Sequence, residues 1–107
     1  MYYILKNKEV IKVDSVLEWA KNFENIENFE KNKIVARTEI GKIAISTIFL
    51  WIDHNFIQDG KPLFFETMVF GGPSEYQARY STYEEAEAGH KEVCEVFEKR
   101  IERLKNK

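Results

Sequence analysis

The sequence predicts an α+β domain, with a largely antiparallel sheet of about six strands and two helices in the order ββα, ββ, ββ, α. Short apolar runs separated by turn residues indicate the strands. Two capping boxes and a long C-terminal segment with apolar residues three and four apart indicate the helices. With 107 residues, 44% of them hydrophobic and 32% charged, the chain suits one globular domain spanning residues 1–107.

The chain begins with a predicted β-hairpin. Residues 2–5 and 9–13 are short apolar runs, and the residues between them include Asn7 and Lys8. Asparagine tolerates positive φ, so a tight turn at these two residues joins the strands. This register places Ile4 opposite Ile11.

A first helix follows the hairpin. Ser15 and Glu18 form a capping box, with Ser15 as the N-cap. Apolar residues recur at helical spacing over 16–23. Several asparagines follow them, and we expect the helix to fray between residues 24 and 32.

The middle of the chain predicts two strands, over residues 33–39 and 42–52. Ile40 and Gly41 lie between them and form a plausible hairpin turn. Both alternating faces of the second strand are largely apolar toward its end. We therefore expect this strand to be central in the sheet and covered on both sides.

A second predicted hairpin spans residues 63–80. Its strands are residues 63–70 and 75–80, with a turn at residues 71–74. The turn length places Glu66 opposite Arg79, which predicts a cross-strand ion pair. The long connection over residues 53–62 precedes this hairpin, and long connections in small domains are enriched for function.

The last segment is the clearest helix. Ser81 and Glu84 form a second capping box, and acidic residues early and basic residues late match the helix dipole. Its apolar residues lie three and four apart, as on one face of a helix. They are Tyr83, Ala86, His90, Val93, Phe97, Ile101 and Leu104.

Composition narrows the classes of partner. The net charge is −2 and no basic block stands out, so nucleic acid is not the expected partner. Cys94 is the only cysteine, which excludes an internal disulfide and fits a reducing cytoplasm. No window approaches the ~18 apolar residues of a membrane helix, so we expect a cytoplasmic protein without membrane contact.

The first candidate site is Asp53-His54-Asn55, at the end of the strand-forming segment 45–52. One interpretation is an active or ligand site, with His54 as acid or base and Asp53 orienting it. The alternative is a turn, because Asp and Asn bond readily to nearby backbone. Turn chemistry does not explain His54.

Further ligand-binding candidates are Glu66, Arg79, Tyr80 and His90. Arg79 either pairs with Glu66 or holds a phosphate or carboxylate, with Tyr80 as part of an aromatic platform beside it. His90 is either a hydrogen-bonded core residue or part of one pocket with His54. No spacing typical of metal ligands is present, and we expect no metal or other cofactor.

Four segments in order carry a resemblance to a known family. They are Thr38–Gly41, Ser46–Phe56, Leu63–Gly72 and Arg79–His90. The string resembles a family of short, uncharacterised proteins encoded by bacteriophages and prophages, over about residues 17–90. Where the family has a glycine-rich stretch, this chain has residues 57–61. The resemblance implies a phage or prophage context and the cytoplasm of a bacterial host.

Three classes of function follow. The leading hypothesis is a non-enzymatic binding protein that captures a host protein or a small host molecule, with a counter-defence or regulatory role. The alternatives are a small hydrolase or transferase that uses Asp53 and His54, and an accessory protein of assembly. The apolar content of residues 43–52 exceeds what two helices cover, which predicts a homodimer that buries a sheet face or a helix flank.

Overall fold

The computed structural model describes residues 2–21, 33–51, 60–72 and 76–105. They form six strands and two helices in an α+β arrangement, as predicted. The strands are β1 (Tyr2–Lys6), β2 (Glu9–Val13), β3 (Ile34–Ile40), β4 (Ile43–Phe49), β5 (Phe65–Phe70) and β6 (Tyr76–Tyr80), and the helices are α1 (Val16–Ala20) and α2 (Tyr83–Lys105).

The N-terminal hairpin has the predicted turn and register. Asn7 and Lys8 have φ values of 51° and 67°, and Ile4 pairs with Ile11. The hairpin is a separate two-stranded sheet and does not extend the main one, whose strands are β3 to β6. Its partly buried apolar side chains, among them Tyr3 and Val10, pack on a cluster at one end of the main sheet.

Helix α1 begins where the capping pattern predicts. The Ser15 hydroxyl oxygen accepts hydrogen bonds from the backbone N–H groups of Leu17 (3.2 Å) and Glu18 (3.4 Å). The helix ends at Ala20, and the predicted fraying over residues 24–32 lies outside the described residues.

The main sheet is antiparallel throughout, in the order β3-β4-β5-β6. Ile40 pairs with Ile43, so the turn between β3 and β4 is Gly41-Lys42, one residue later than predicted. Gly41 has a φ of 60°, which glycine adopts at little cost and which fixes the turn at this position. Strand β4 lies between β3 and β5, as its apolar content predicts.

Burial of the main sheet is more complete on the face beneath α2 than on the other face. Alternate residues of β4 from Ile43 to Phe49 are buried, whereas the residues between them are only half-buried. Helix α2 contacts all four strands on the buried side. On the face away from α2, Glu66 is buried but the β4 residues are only half-buried, so the coverage of that face is less complete than predicted. Hydrophobicity of a strand does not reveal how many layers pack on it.

Helix α2 begins one residue later than its capping box predicts. The Thr82 hydroxyl accepts a hydrogen bond from the Glu85 backbone N–H (3.1 Å) and donates one to the Glu85 carboxylate (3.1 Å). The first helical backbone bond runs from the Ala86 N–H to the Thr82 carbonyl. Thr82 is thus the N-cap instead of Ser81, and Glu85 takes the role predicted for Glu84.

The predicted apolar stripe of α2 forms the core along most of its length. Ala86, His90, Val93 and Phe97 are buried against the sheet. Leu104, although it belongs to the predicted stripe, lies outside the core, because 68% of its surface is exposed. Among the described helices, none is long and apolar enough to cross a lipid bilayer.

The N-cap assignment can be tested by substitution. We expect Thr82→Ala to lower the free energy of unfolding by about 1 kcal/mol, because it removes a capping hydrogen bond from α2. Urea denaturation measures the change. Ser81→Ala is the matched control, and a larger loss for Ser81→Ala than for Thr82→Ala would contradict the assignment.

Candidate functional site

A chain of hydrogen-bonded side chains crosses the main sheet beneath α2. The His90 ring is bonded through Nδ1 to the Thr47 hydroxyl (2.7 Å) and through Nε2 to the Thr38 hydroxyl (2.9 Å). Thr47 also bonds the Thr67 hydroxyl (2.5 Å), and Thr67 in turn bonds the Tyr80 hydroxyl. The chain thus takes one hydroxyl from each of the four strands and one imidazole from α2. We call it the His90 network.

The network leaves neither nitrogen of the ring without a partner. A neutral imidazole donates from one nitrogen and accepts at the other, and a hydroxyl can do either. The sequence places threonine at matching positions, since Thr47 pairs directly with Thr67 across β4 and β5. Both threonines are fully buried. Buried polar groups of this kind need internal partners, because water cannot reach them.

Burial sets the charge state of the two titratable groups in the network, His90 and Tyr80. It lowers the pKa of the His90 imidazole below its ordinary value. Burial also raises the pKa of the Tyr80 phenol, with smaller contributions in the same direction from Tyr76 and Glu92, and the hydrogen bond with Thr67 opposes them. A neutral imidazole and a neutral phenol therefore predominate at pH 7.

Gly89 lets α2 approach the sheet at Tyr80. A Cβ at Gly89 would overlap the Tyr80 ring at Cε1, Cζ and the hydroxyl oxygen. Glycine at this position thus permits a close approach of helix and sheet. The bare backbone is what allows the tyrosine to lie beneath the helix.

Glu66 and Arg79 lie on the other face of the sheet from Tyr80 and His90. They are direct cross-strand partners, and Arg79 Nε donates to the Glu66 carboxylate at 2.9 Å, so the predicted pair is confirmed. Gln77 donates to the same carboxylate oxygen at 2.6 Å. The predicted platform of Tyr80 beside a phosphate-binding Arg79 is wrong, because neighbouring residues of a strand point to opposite faces.

The remaining candidates of the sequence lie outside the described residues. Asp53, His54 and Asn55 lie within residues 52–59. The predicted pocket that His54 would share with His90 therefore also lies outside the described residues. Trp51, directly before them, is buried and has a φ of 69°. Its ring packs edge-on against Phe49 with centroids 5.0 Å apart.

The described residues hold no group of three or more His, Cys, Asp or Glu side chains that could bind a metal ion. The His90 ring has both nitrogens engaged, and the Thr47 and Thr67 hydroxyls are inaccessible. A general base must reach the proton that it takes from a substrate. The His90 network is therefore structural in its geometry, and it positions α2 on the sheet.

The concave surface next to this network is a groove between β6 and the flank of α2. Its volume is about 160 Å³. Aromatic rings, small and branched apolar side chains and two opposite charges line it, and we call it the β6–α2 groove. The lining residues are Tyr76, Ala78, Tyr80, Gly89, Glu92, Val93, Val96, Phe97 and Arg100.

Sequence reasoning found Tyr80 but not the groove itself. Val96 is the signal that could have indicated it, because it is an apolar residue of α2 beside the predicted core stripe and 43% of it is exposed. Tyr76, 41% exposed on the edge strand, is the second. Their proximity depends on how α2 crosses the sheet, which periodicity does not reveal.

Comparison with protein-family models, with curated proteins and with solved structures finds no match to this chain. The site must therefore be interpreted from its own geometry.

The lowered pKa of His90 makes stability depend on pH. Protonation is easier in the unfolded chain, in which the histidine has a pKa of about 6.5. The neutral ring therefore contributes fully to the free energy of unfolding above that pH, and this contribution is lost as the pH falls below it. We expect the free energy of unfolding to decrease between pH 7.5 and pH 5 more steeply in the natural chain than in His90→Gln. Urea denaturation over this range measures both slopes.

The His90→Gln comparison also controls for other titrating groups, since both chains retain His54 and all carboxylates. At pH 7.5 we expect the substitution to cost about 1–3 kcal/mol, because it breaks a buried hydrogen-bonded network. Parallel pH profiles for the two chains would contradict a buried neutral His90.

The contact of Gly89 with Tyr80 predicts that Gly89→Ala changes the free energy of unfolding in opposite directions in the presence and in the absence of the Tyr80 ring. We expect Gly89→Ala to destabilise the natural chain by about 1 kcal/mol or more, because overlap with the ring outweighs the better helix propensity of alanine. In a Tyr80→Ala background the same substitution stabilises by about 0.5–1 kcal/mol. The same sign in both backgrounds, measured by urea denaturation, would refute the contact.

Proposed function

We propose that the protein is a non-enzymatic binding protein that captures another protein through the β6–α2 groove. Its partner contributes an extended segment that pairs with the edge strand β6 and places one large apolar side chain in the groove. The observation that supports this most directly is the position of the groove beside an edge strand. Among the described strands, β6 pairs with β5 alone.

An edge strand with a groove beside it suits the addition of a strand from another chain. Backbone hydrogen bonds to the edge supply affinity, and a pocket for one of the alternating side chains supplies specificity. Strand β6 presents Tyr76 and Tyr80 toward the groove, with Ala78 between them. The small alanine leaves room for a side chain between two aromatic walls.

The size of the groove favours a side chain over a whole nucleotide. Its volume of about 160 Å³ is close to that of a cavity known to hold one benzene-sized molecule, at about 150 Å³. One large side chain or one base fills such a space. Arg79, the cation proposed from the sequence for the phosphate, contacts Glu66 on the opposite face.

Among the described residues that line the groove, Glu92 is a single exposed carboxylate with no histidine, cysteine, serine or lysine among the other lining residues, which supports binding over catalysis. The resemblance to phage and prophage proteins supports a host protein as the target, in the cytoplasm of the bacterial host. Capture of such a protein gives a counter-defence or regulatory role without any chemical step.

Peptide selection tests the proposal. A library of extended peptides displayed on a surface is selected against the immobilised protein, and affinities of the selected peptides are measured by fluorescence anisotropy. We expect peptides with a large apolar residue, and we expect Val96→Asp to weaken them at least about tenfold, since a charge then faces the buried side chain. Ile34→Asp is the matched control, because Ile34 on β3 is also 43% exposed.

Two outcomes would contradict protein capture through the groove. One is selection of no peptide above background, and the other is binding that Val96→Asp leaves unchanged. A thermal-shift screen with nucleotides is carried out in parallel with the peptide selection. A nucleotide shift that Val96→Asp abolishes would assign the groove to a small ligand instead.

A further inference from the structure

The flank of α2 that borders the β6–α2 groove carries an exposed apolar side chain, Val96, which is 43% exposed. Tyr76 on β6 adds a second, 41% exposed, and its ring packs edge-on against Phe97 with centroids 6.3 Å apart. The groove thus has an exposed apolar rim on both the helix and the strand.

The charges on this flank are arranged symmetrically about Val96. Glu92 lies four residues before Val96 and Arg100 four residues after it, and all three line the groove. At 1.5 Å per residue, each charge lies about 6 Å along the helix axis from Val96. The part of the flank that lines the groove therefore carries one negative and one positive charge at equal distances from an apolar centre.

A surface with this arrangement is complementary to itself. When two copies of α2 pack antiparallel about a two-fold axis at Val96, Glu92 of each copy faces Arg100 of the other. Parallel packing would instead oppose like charges, which disfavours that orientation.

We propose that two copies of this chain pair through the α2 flank in antiparallel orientation, and that Val96 of each copy closes the β6–α2 groove of the other. This dimer is the resting state of the protein. Because both events use the same groove, capture of a partner segment separates the dimer, and this regulatory step rests on the proposed function. The dimer itself rests only on the surface of α2.

Charge reversal gives a direct test of the pairing. In a dimer of Glu92→Arg chains, Arg100 of each copy faces an arginine of the other copy. In a dimer of Arg100→Glu chains, Glu92 of each copy faces a glutamate of the other copy. We expect each single reversal to weaken the dimer at least about tenfold in sedimentation velocity, and the double reversal to restore it. Arg37→Glu on β3 is the control, a charge reversal away from the flank that leaves the dimer unchanged.

Mixing the two single variants gives the sharpest outcome. Glu92→Arg and Arg100→Glu chains are complementary to each other, so we expect native mass spectrometry to show the heterodimer in excess over both homodimers. A natural chain that stays at the monomer mass of 12.7 kDa at micromolar concentration would overturn the proposal. So would a dimer that single reversals do not weaken, or a mixture without excess heterodimer.

The competition between dimer and partner is tested separately with a selected peptide. We expect the peptide to convert the dimer to a peptide-bound monomer. A dimer that binds peptide without dissociating would overturn the regulatory step and leave both the dimer and the capture standing. A monomeric chain that still binds peptide through Val96 would overturn the dimer and leave the proposed function intact.

Discussion

The structure depends most on the burial of a neutral imidazole beneath the long helix. A histidine in that position is stable only when both ring nitrogens have partners, and the sheet supplies them through Thr38 and Thr47. Each neutral hydrogen bond contributes about 1 kcal/mol, whereas a buried group that loses its partner costs about 1–3 kcal/mol. This asymmetry selects one arrangement of helix and strands over its alternatives.

The same constraint shapes the surface. With His90 fixed over β3 and β4, Gly89 lies on the Tyr80 ring and the next turns of α2 run beside the edge strand β6. The groove is the space that remains between the helix flank and β6. Val96 and Tyr76 line this space and are 43% and 41% exposed.

Local features of the fold could be predicted from the sequence because each depends on neighbouring residues. The turn at Asn7 and Lys8, the cap at Ser15 and the pairing of Glu66 with Arg79 follow from turn chemistry and register. The second cap shows the limit of such signals. Ser81 and Thr82 both stand three residues before a glutamate, and only the direction in which the chain leaves β6 decides between them.

The candidate site could be predicted only in part. His90 stands out as a polar residue in an apolar stripe, but Thr47 and Thr67 look like ordinary strand formers until β4 and β5 are paired. Tyr80 and Arg79 are neighbours in sequence, which predicts one shared platform, whereas the pleat of β6 turns them to opposite faces. The network and the groove arise from contacts between distant segments, which no local pattern encodes.

The most direct test of this account is the NMR signal of the His90 ring nitrogens, recorded in a His54→Gln background so that one imidazole remains. Above pH 7, the account predicts a single neutral tautomer, with one protonated and one unprotonated nitrogen, and a pKa below the ordinary value of histidine. A ring that averages between tautomers and titrates near pH 6.5, as an exposed histidine does, would contradict it.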